Sequence, residues 1–271
     1  MHDLSSVKNI NLHPNQEFWD ELCGTNLFTQ LGLTEISPSS IEIFDTYYLN
    51  FYSYLQKKYI IPENLKNKKV LEIGLGFGTV GNILLQHSKN YVGLDYAQGP
   101  VEMMKTRISW ANKEATCKAV QGSALQLPFP DNSFDSVVSI GCLHHTGDIQ
   151  KSLDEIERVL VKGGEVLIML YNARSYRNFL IPFVYLKKLI IGKKRIFNYS
   201  AFVRSMYDAN AEGDAAPIVE RVSVDDCKKI FGKFINVTVE KENNGLLLRR
   251  FFLNNISKWA GLDLYITGNK P

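Results

Sequence analysis

Residues 69–81 read KVLEIGLGFGTVG, and this stretch decides the architecture. KVLEI is a short β-rich run that stops at a glycine cluster, and the cluster opens directly into the helical VGNILLQHS. Strand, tight loop and helix therefore follow one another without a spacer. Two glycine frames overlap in the loop, Gly74-x-Gly76-x-Gly78 and Gly76-x-Gly78-x-x-Gly81. Glycine allows a sharp turn and lets a ligand approach the backbone where a Cβ would obstruct it. Asp95 ends the next strand, YVGLD, about 20 residues later, where a carboxylate can accept hydrogen bonds from both hydroxyls of a ribose.

The pattern repeats outward from this unit. PVEMMKTRISWAN reads as a helix, TCKAVQG and FDSVVSIG as strands, IQKSLDEIERVL as a helix with Ile149, Leu153, Ile156 and Leu160 on one face, and GGEVLIMLY as a strand entered through the Gly163, Gly164 turn. Strands alternating with helices imply a parallel sheet covered on both faces. The alternation breaks after Tyr171, and residues 172–222 are expected to be an insertion before SVDDCKKIFGKF resumes as a Ser-capped helix. INVTVEKEN and LDLYITGN supply two closing strands. Upstream, residues 1–66 are expected to form an aromatic helical arm packed on the core, with Phe44, Tyr47, Tyr48, Phe51 and Leu55 on one stripe and a stop before Pro62; residues 67–271 form the main domain.

The chain has 271 residues, 45% of them hydrophobic and 22% charged, as expected of an ordinary globular protein. A net charge of +3, from 31 basic and 28 acidic residues, is far from the concentrated positive charge that nucleic-acid binding demands. Cys23, Cys117, Cys142 and Cys227 are scattered, lack CxxC spacing and read as structural thiols. The first residues lack an apolar signal core, and the longest apolar run, 179–186, is too short to span a bilayer, so a cytoplasmic location is expected.

The second glycine frame matches a dinucleotide fingerprint, so a nicotinamide-dependent oxidoreductase is the first alternative. Glu72 weighs against it: a carboxylate two residues before the first glycine repels a pyrophosphate but suits the cationic methionine portion of S-adenosylmethionine. The second alternative is a non-catalytic binding module on the same fold.

Taken together, E-x-G-x-G-x-G, the acid of GLDYA, QGSALQLPFPDNSFDSVVSIGCLHHTGD and RVLVKGGEVLI resemble a class I S-adenosylmethionine-dependent methyltransferase of the type 11 group. The resemblance is strong over residues 69 to 171 and weak onward to Pro271. It implies an α/β, Rossmann-like, doubly wound and mostly parallel seven-stranded sheet in the order 3-2-1-4-5-7-6, with the last strand antiparallel. It further implies that Gly74, Gly76 and Gly78 line the methionine and ribose of the cofactor, that Glu72 holds its amino-acid end, that Asp95 holds the ribose and that Tyr96 packs on the adenine. Ser123 stands where the family usually has an aspartate for the adenine amino group, which shifts weight to the backbone of Ala124 and to Leu125; Ile140 and Gly141 supply further backbone. The activity implied is methyl transfer to a small molecule, with S-adenosylhomocysteine as product.

In SIGCLHHTGD the chain leaves the fourth strand with His144 and His145, the candidate catalytic pair. A neutral imidazole can accept a proton from an acceptor group. Side chains of adjacent loop residues should diverge, and by family analogy His145 faces the substrate, as base or positioning group, while His144 is hydrogen-bonded into the scaffold. No metal site is expected, since Asp148 is the only nearby acid in sequence. Trp19, Tyr47, Tyr48 and Tyr54 either close over the site or pack the arm onto the sheet, with at least one expected to reach the site. Tyr176, Phe179, Leu180, Ile181, Phe183, Val184, Tyr185 and Leu186 are too apolar for a solvated loop, and three readings follow: a substrate lid for a partly apolar acceptor, a core extension or dimer interface, or, with Lys187, Lys188, Lys193, Lys194 and Arg195, contact of 176–196 with an anionic membrane surface. The chain is expected to be a monomer or homodimer.

Overall fold

The computed structural model describes residues 14–21, 25–191, 198–210, 212–243 and 261–271; Cys23 and the basic residues 193–195 lie outside them. The arm begins with α1 (Pro14–Asp20) and α2 (Thr25–Gln30), then α3 (Pro38–Phe51), whose first turn is closed by a Ser37–Ser40 capping box. The helix expected to run to residue 61 stops at Phe51. A single π-helical turn follows at Leu55–Tyr59, closed by the Ile60 N–H on the Leu55 carbonyl at 2.7 Å, and this wider turn buries Leu55 and Ile60 together. Tyr47, expected on the apolar stripe, faces outward. A short α4 (Pro62–Leu65) leads into the sheet.

From there the units are β1 (Lys69–Ile73), α5 (Thr79–His87), β2 (Asn90–Asp95), α6 (Gln98–Trp110), β3 (Cys117–Gln121), β4 (Phe134–Ile140), α7 (Ile149–Val159) and β5 (Leu160–Tyr171). After α8 (Tyr176–Ile191) and α9 (Tyr199–Ser205) come α10 (Val224–Ile230), β6 (Ile235–Glu242) and β7 (Asp263–Asn269). The sheet has seven strands in the order 3-2-1-4-5-7-6, parallel throughout except for β7, which runs antiparallel to both neighbours. α10 carries the expected serine cap: Ser223 accepts from the Asp226 N–H and Asp226 answers the Ser223 N–H. β5 does not start after its glycine pair but runs through it, its register against β4 slipping between Leu160 and Glu165.

Alternation of side chains along the strands builds two core layers. Leu71, Ile73, Val137, Ile168 and Ile266 pack under Leu153, Ile156 and Phe231 of the α7 and α10 side. Val70, Val138, Leu167 and Tyr265 face the opposite layer, with Leu84 of α5, Met104 of α6 and the arm's Leu55 and Ile60. The arm is seated by Phe28 and Phe44, whose rings lie 5.3 and 4.6 Å from that of Phe77 in the glycine loop. The two ends of the 172–222 stretch meet, since Asn172 and Val222 form a parallel bridge and the Ala173 N–H donates to the Val222 carbonyl. Among the described residues no helix is long and apolar enough to cross a membrane.

Candidate functional site

At the carboxyl ends of β1, β2 and β4 the structure holds a cavity of about 380 Å³. Its floor is the glycine loop, residues 74–77, with Glu72 and Asp95 at the strand ends. Tyr96 and residues 122–125 form one wall, Ile140, Gly141 and Cys142 another, and His145 and Thr146 close the far end. Asn15 and Trp19 from α1, with Phe44 and Tyr48 from α3, complete the rim. Every cofactor-contact residue expected from the sequence except Gly78 lies on this one surface, and so does His145; His144 does not.

Gly74 is required for two reasons. Its φ of +87° disfavours any side chain, and a Cβ there would stand 2.3 Å from the Cβ of Cys142. The space that the sequence reading reserved for a ligand is, at this glycine, filled by Cys142. Gly78, although outside the cavity wall, is the left-handed residue at which α5 begins, with Arg107 packed against it.

The acids are held differently. Asp95 accepts from the Leu75 N–H through one carboxylate oxygen at 2.7 Å and from the Ala97 N–H through the other at 3.0 Å, so it braces the glycine loop while facing the cavity. Burial raises its pKa, and these backbone donors oppose the rise. Glu72 is 2% exposed and accepts from the Tyr91 hydroxyl on the neighbouring strand. Burial pushes its pKa up to about 8 against that hydrogen bond, so without a cationic partner the carboxyl is protonated near neutrality. Ser123 accepts the Leu125 N–H at 3.2 Å, which folds the adjacent turn.

Sequence reasoning missed a buried tie between arm and loop. Arg107 of α6, 4% exposed, forms a bidentate pair with Asp45 of α3, both N–O distances being 2.8 Å, and its Nε donates to the Phe77 carbonyl at 2.5 Å. Thr79 at the head of α5 donates to the same Asp45 at 2.6 Å. A polar residue on the buried stripe of α6 was the available signal. Of the four aromatics singled out, Trp19 and Tyr48 reach the cavity, Tyr54 packs against Tyr265 in the core, and Tyr47 is exposed.

The histidine pair departs from expectation. Both residues sit on the 3₁₀ turn Leu143–His145 with ring centroids 4.3 Å apart, so they cluster rather than diverge. His145 Nδ1 lies 2.7 Å from the Ile218 carbonyl, and its Nε2 lies 3.5 Å from an Asp208 carboxylate oxygen. Trp19 packs on its ring at 4.5 Å, and Asn15 anchors its carbonyl at 2.8 Å. His144 is fully buried, and its ring lies 3.9 Å from that of Tyr171. Neither nitrogen of that ring has a hydrogen-bond partner among the described residues; only the His144 carbonyl is engaged, by the Glu220 N–H. Burial lowers the pKa of both histidines, keeping the imidazoles neutral. Asp148, the acid weighed as a third ligand, instead caps α7 through the Lys151 N–H, whereas Asp208, sixty-odd residues on in sequence, completes a His144, His145, Asp208 group. The acid nearest the pair in sequence is thus not the one beside it in space.

α8 is corrected too. None of its described side chains lines the cavity. Ile181 packs with Phe202 and Val203 of α9, while Phe179, Phe183, Leu186 and Ile190 are 56% to 74% exposed. The helix turns its other face to its own hairpin partner, so its described apolar side chains do not wall the cavity as the substrate-lid reading expects.

Residues 71–168 match the family model of a methyltransferase domain. The chain is 32% identical over 144 residues to a fatty-acid O-methyltransferase of Mycolicibacterium smegmatis, a match covering 52% of this chain and 51% of that protein. It is 35% identical over 97 residues to 24-methylenesterol C-methyltransferase 2 of Arabidopsis thaliana, covering 35% of this chain and 27% of the relative. The matches thus span about half of the first relative's length and less of the second's. In structure it superposes with a TM-score of 0.55 and 17% identity on N-methyltransferase 2 of Haemonchus contortus, solved with phosphomonomethylethanolamine and S-adenosylhomocysteine, covering 82% of this chain and 52% of that one.

Proposed function

We propose, from a chain whose residues 71–168 form a methyltransferase domain on the class I fold, that the protein transfers a methyl group from S-adenosylmethionine to a small, partly apolar acceptor. The observation that carries this is the convergence of the glycine loop, Glu72, Asp95, Tyr96 and residues 123–125 on one cavity that ends at His145. Gly74, Gly76 and Gly78 shape the loop around the methionine and ribose, the free lone pairs of Asp95 take the ribose hydroxyls, and Glu72 meets the cationic amino-acid end. Tyr96 would pack on the adenine, with Ser123, Ala124 and Leu125 beside it, and Ile140 and Gly141 would offer backbone to the cofactor.

Methyl transfer is a displacement: an acceptor lone pair forms the new bond to the methyl carbon, and the C–S pair returns to sulfur, leaving S-adenosylhomocysteine. The protein's main task is alignment of nucleophile, carbon and sulfur. In this reading His145 and Trp19 position the acceptor, and His144 acts only from behind them. The apolar rim of Trp19, Phe44 and Tyr48 supports an acceptor with hydrocarbon character, as do the fatty-acid and sterol activities named for the two sequence relatives. The exposed apolar face of α8, flanked by Lys187 and Lys188, supports peripheral contact with the surface that would hold such a molecule. A nicotinamide reading gains nothing from the geometry, because no lysine or arginine is found among the described residues that line the cavity, so a pyrophosphate meets no cationic partner there.

Calorimetry tests the core of the proposal. S-adenosylhomocysteine should bind and NAD should not, and Asp95→Ala should weaken binding by about 1–3 kcal/mol. Unchanged affinity in that variant removes Asp95 from the site. Transfer of labelled methyl to a panel of carboxylated and hydroxylated amphiphiles then tests the acceptor class.

A further inference from the structure

We propose that His144, His145 and Asp208 form a binding site for one divalent first-row transition-metal ion, lying behind His145 between the β4–α7 loop and the 172–222 stretch. The proposal goes beyond the methyl-transfer reading and fails separately from it.

The argument begins with hydrogen-bond roles. A carbonyl can only accept, so His145 Nδ1, 2.7 Å from the Ile218 oxygen, carries the proton. In the neutral ring Nε2 is then a bare lone pair, and it faces a carboxylate oxygen of Asp208 at 3.5 Å. Two acceptors confront each other in a place where His145 is 5% exposed. A proton or a cation belongs between them, and 3.5 Å is too long for a hydrogen bond from a protonated carboxyl.

His144 supplies the second, independent observation. It is fully buried, and neither ring nitrogen has a hydrogen-bond partner among the described residues. Leaving a buried polar group unmatched is costly, and the remedy must lie within reach of the ring. One ligand atom from each of His144, His145 and Asp208 lies within 4.8 Å of the others. An ion with bonds of about 2.1 Å holds its ligands roughly 3.0–4.2 Å apart, so the group is close to a coordinating arrangement already. Two neutral imidazoles and a carboxylate suit zinc, iron, cobalt or manganese rather than calcium or magnesium.

The surroundings are those of a ligand set. His145 is oriented by a backbone carbonyl on its far nitrogen, and Asp208 accepts the Tyr171 hydroxyl at 2.9 Å. His144 and His145 come from the turn after β4 and Asp208 from the segment after α9, so an ion here clamps the 198–222 stretch onto the loop that ends the cavity. It also fixes the one ring, His145, that the cavity shares with the cluster.

The full chain, stripped with a chelator, is titrated with cobalt chloride and followed by d–d absorption, with zinc chloride added afterwards as competitor. We expect saturation at one equivalent, displacement by zinc and a raised melting temperature in the loaded protein. Asp208→Asn should weaken cobalt binding by at least about 100-fold and Tyr171→Phe by about 10–100-fold. S-adenosylhomocysteine affinity is measured on each sample and should stay within about twofold, which shows that the variants are folded. His145→Gln replaces Asp208→Asn should the latter lose that affinity. Absence of saturable cobalt binding overturns the site, as does binding that survives both substitutions, which would place the ion elsewhere. Metal binding without S-adenosylhomocysteine binding leaves this site standing and overturns the methyl-transfer reading instead.

Discussion

The two ends of the cavity are built by different means. The glycine-loop end draws Glu72, residues 74–77, Asp95 and Tyr96 from two neighbouring strands and the turns that leave them, so its parts lie within one βαβ unit. The far end draws His145 from the turn after β4, Asn15 and Trp19 from α1, and Asp208 and Ile218 from the 172–222 stretch. The first end is fixed by local backbone geometry and serves a constant ligand. The second is assembled by long-range docking, which is where one fold can be refitted to different acceptors.

The sharpest way to break this contrast is at Arg107, because there the local end leans on the arm. Arg107→Met leaves Asp45 without its partner at a site where the Asp45 side chain is only 13% exposed, and it frees the Phe77 carbonyl. Losing one member of a buried pair should cost about 3–5 kcal/mol of stability, measured by denaturant unfolding. S-adenosylhomocysteine affinity should fall with it as the loop loosens. A loss below about 1 kcal/mol would mean that the loop stands without the arm.

His145→Ala tests the far end alone. Methyl transfer to the acceptor should drop by roughly 100-fold through lost alignment, while S-adenosylhomocysteine affinity stays nearly intact. Equal losses in both would merge the two ends into a single site. The expected split sits in kcat/KM for the acceptor against Kd for the cofactor.

The same contrast explains how much could be read from sequence. The strand order and the placing of Glu72, Asp95 and residues 123–125 on one surface followed from strand–loop–helix periodicity, because those residues are carried to the sheet edge by the elements they terminate. Arg107 with Asp45, and Asp208 with His145, are separated by 62 and more residues, and no local pattern encodes such pairs. No local pattern fixes the direction of α8 either. Apolar composition says that a segment seeks cover, but it does not say which neighbour supplies it, and here α9 covers only the Ile181 side. The two histidine rings lie 4.3 Å apart on the 3₁₀ turn although only His145 lines the cavity, and no local pattern in the sequence encodes that contact.

A smaller effect should appear in the pH dependence of cofactor binding. Glu72 in the free protein has its pKa raised to about 8 by burial, and an ammonium group from the cofactor favours the carboxylate. Binding therefore lowers this pKa and releases a proton, so affinity rises with pH while Glu72 is still protonated. Between about pH 6 and about 7.5 the gain should approach, and not exceed, tenfold per unit, before the ligand's own amino group begins to titrate. Glu72→Gln should weaken binding at the upper end and flatten the slope. Proton release is read by calorimetry in buffers of different ionisation enthalpy, and a slope that survives the substitution assigns it to another group.

The smallest effect on the folded molecule is expected at α8, whose described side chains belong to neither end of the cavity. Phe179 and Phe183 are 72% and 61% exposed with rings 5.8 Å apart, so they cover each other and little else. Replacing both with serine removes almost no buried area and should shift unfolding by no more than about 0.5 kcal/mol, with S-adenosylhomocysteine affinity unchanged. If this face meets a membrane, flotation with vesicles containing anionic lipid should nevertheless fall several-fold in the double variant, and wild-type binding should weaken with salt, as a contact shared by apolar insertion and Lys187 and Lys188 requires. Wild-type protein that ignores such vesicles but sediments as a dimer broken by the same substitutions would give the apolar face to a second copy of the chain.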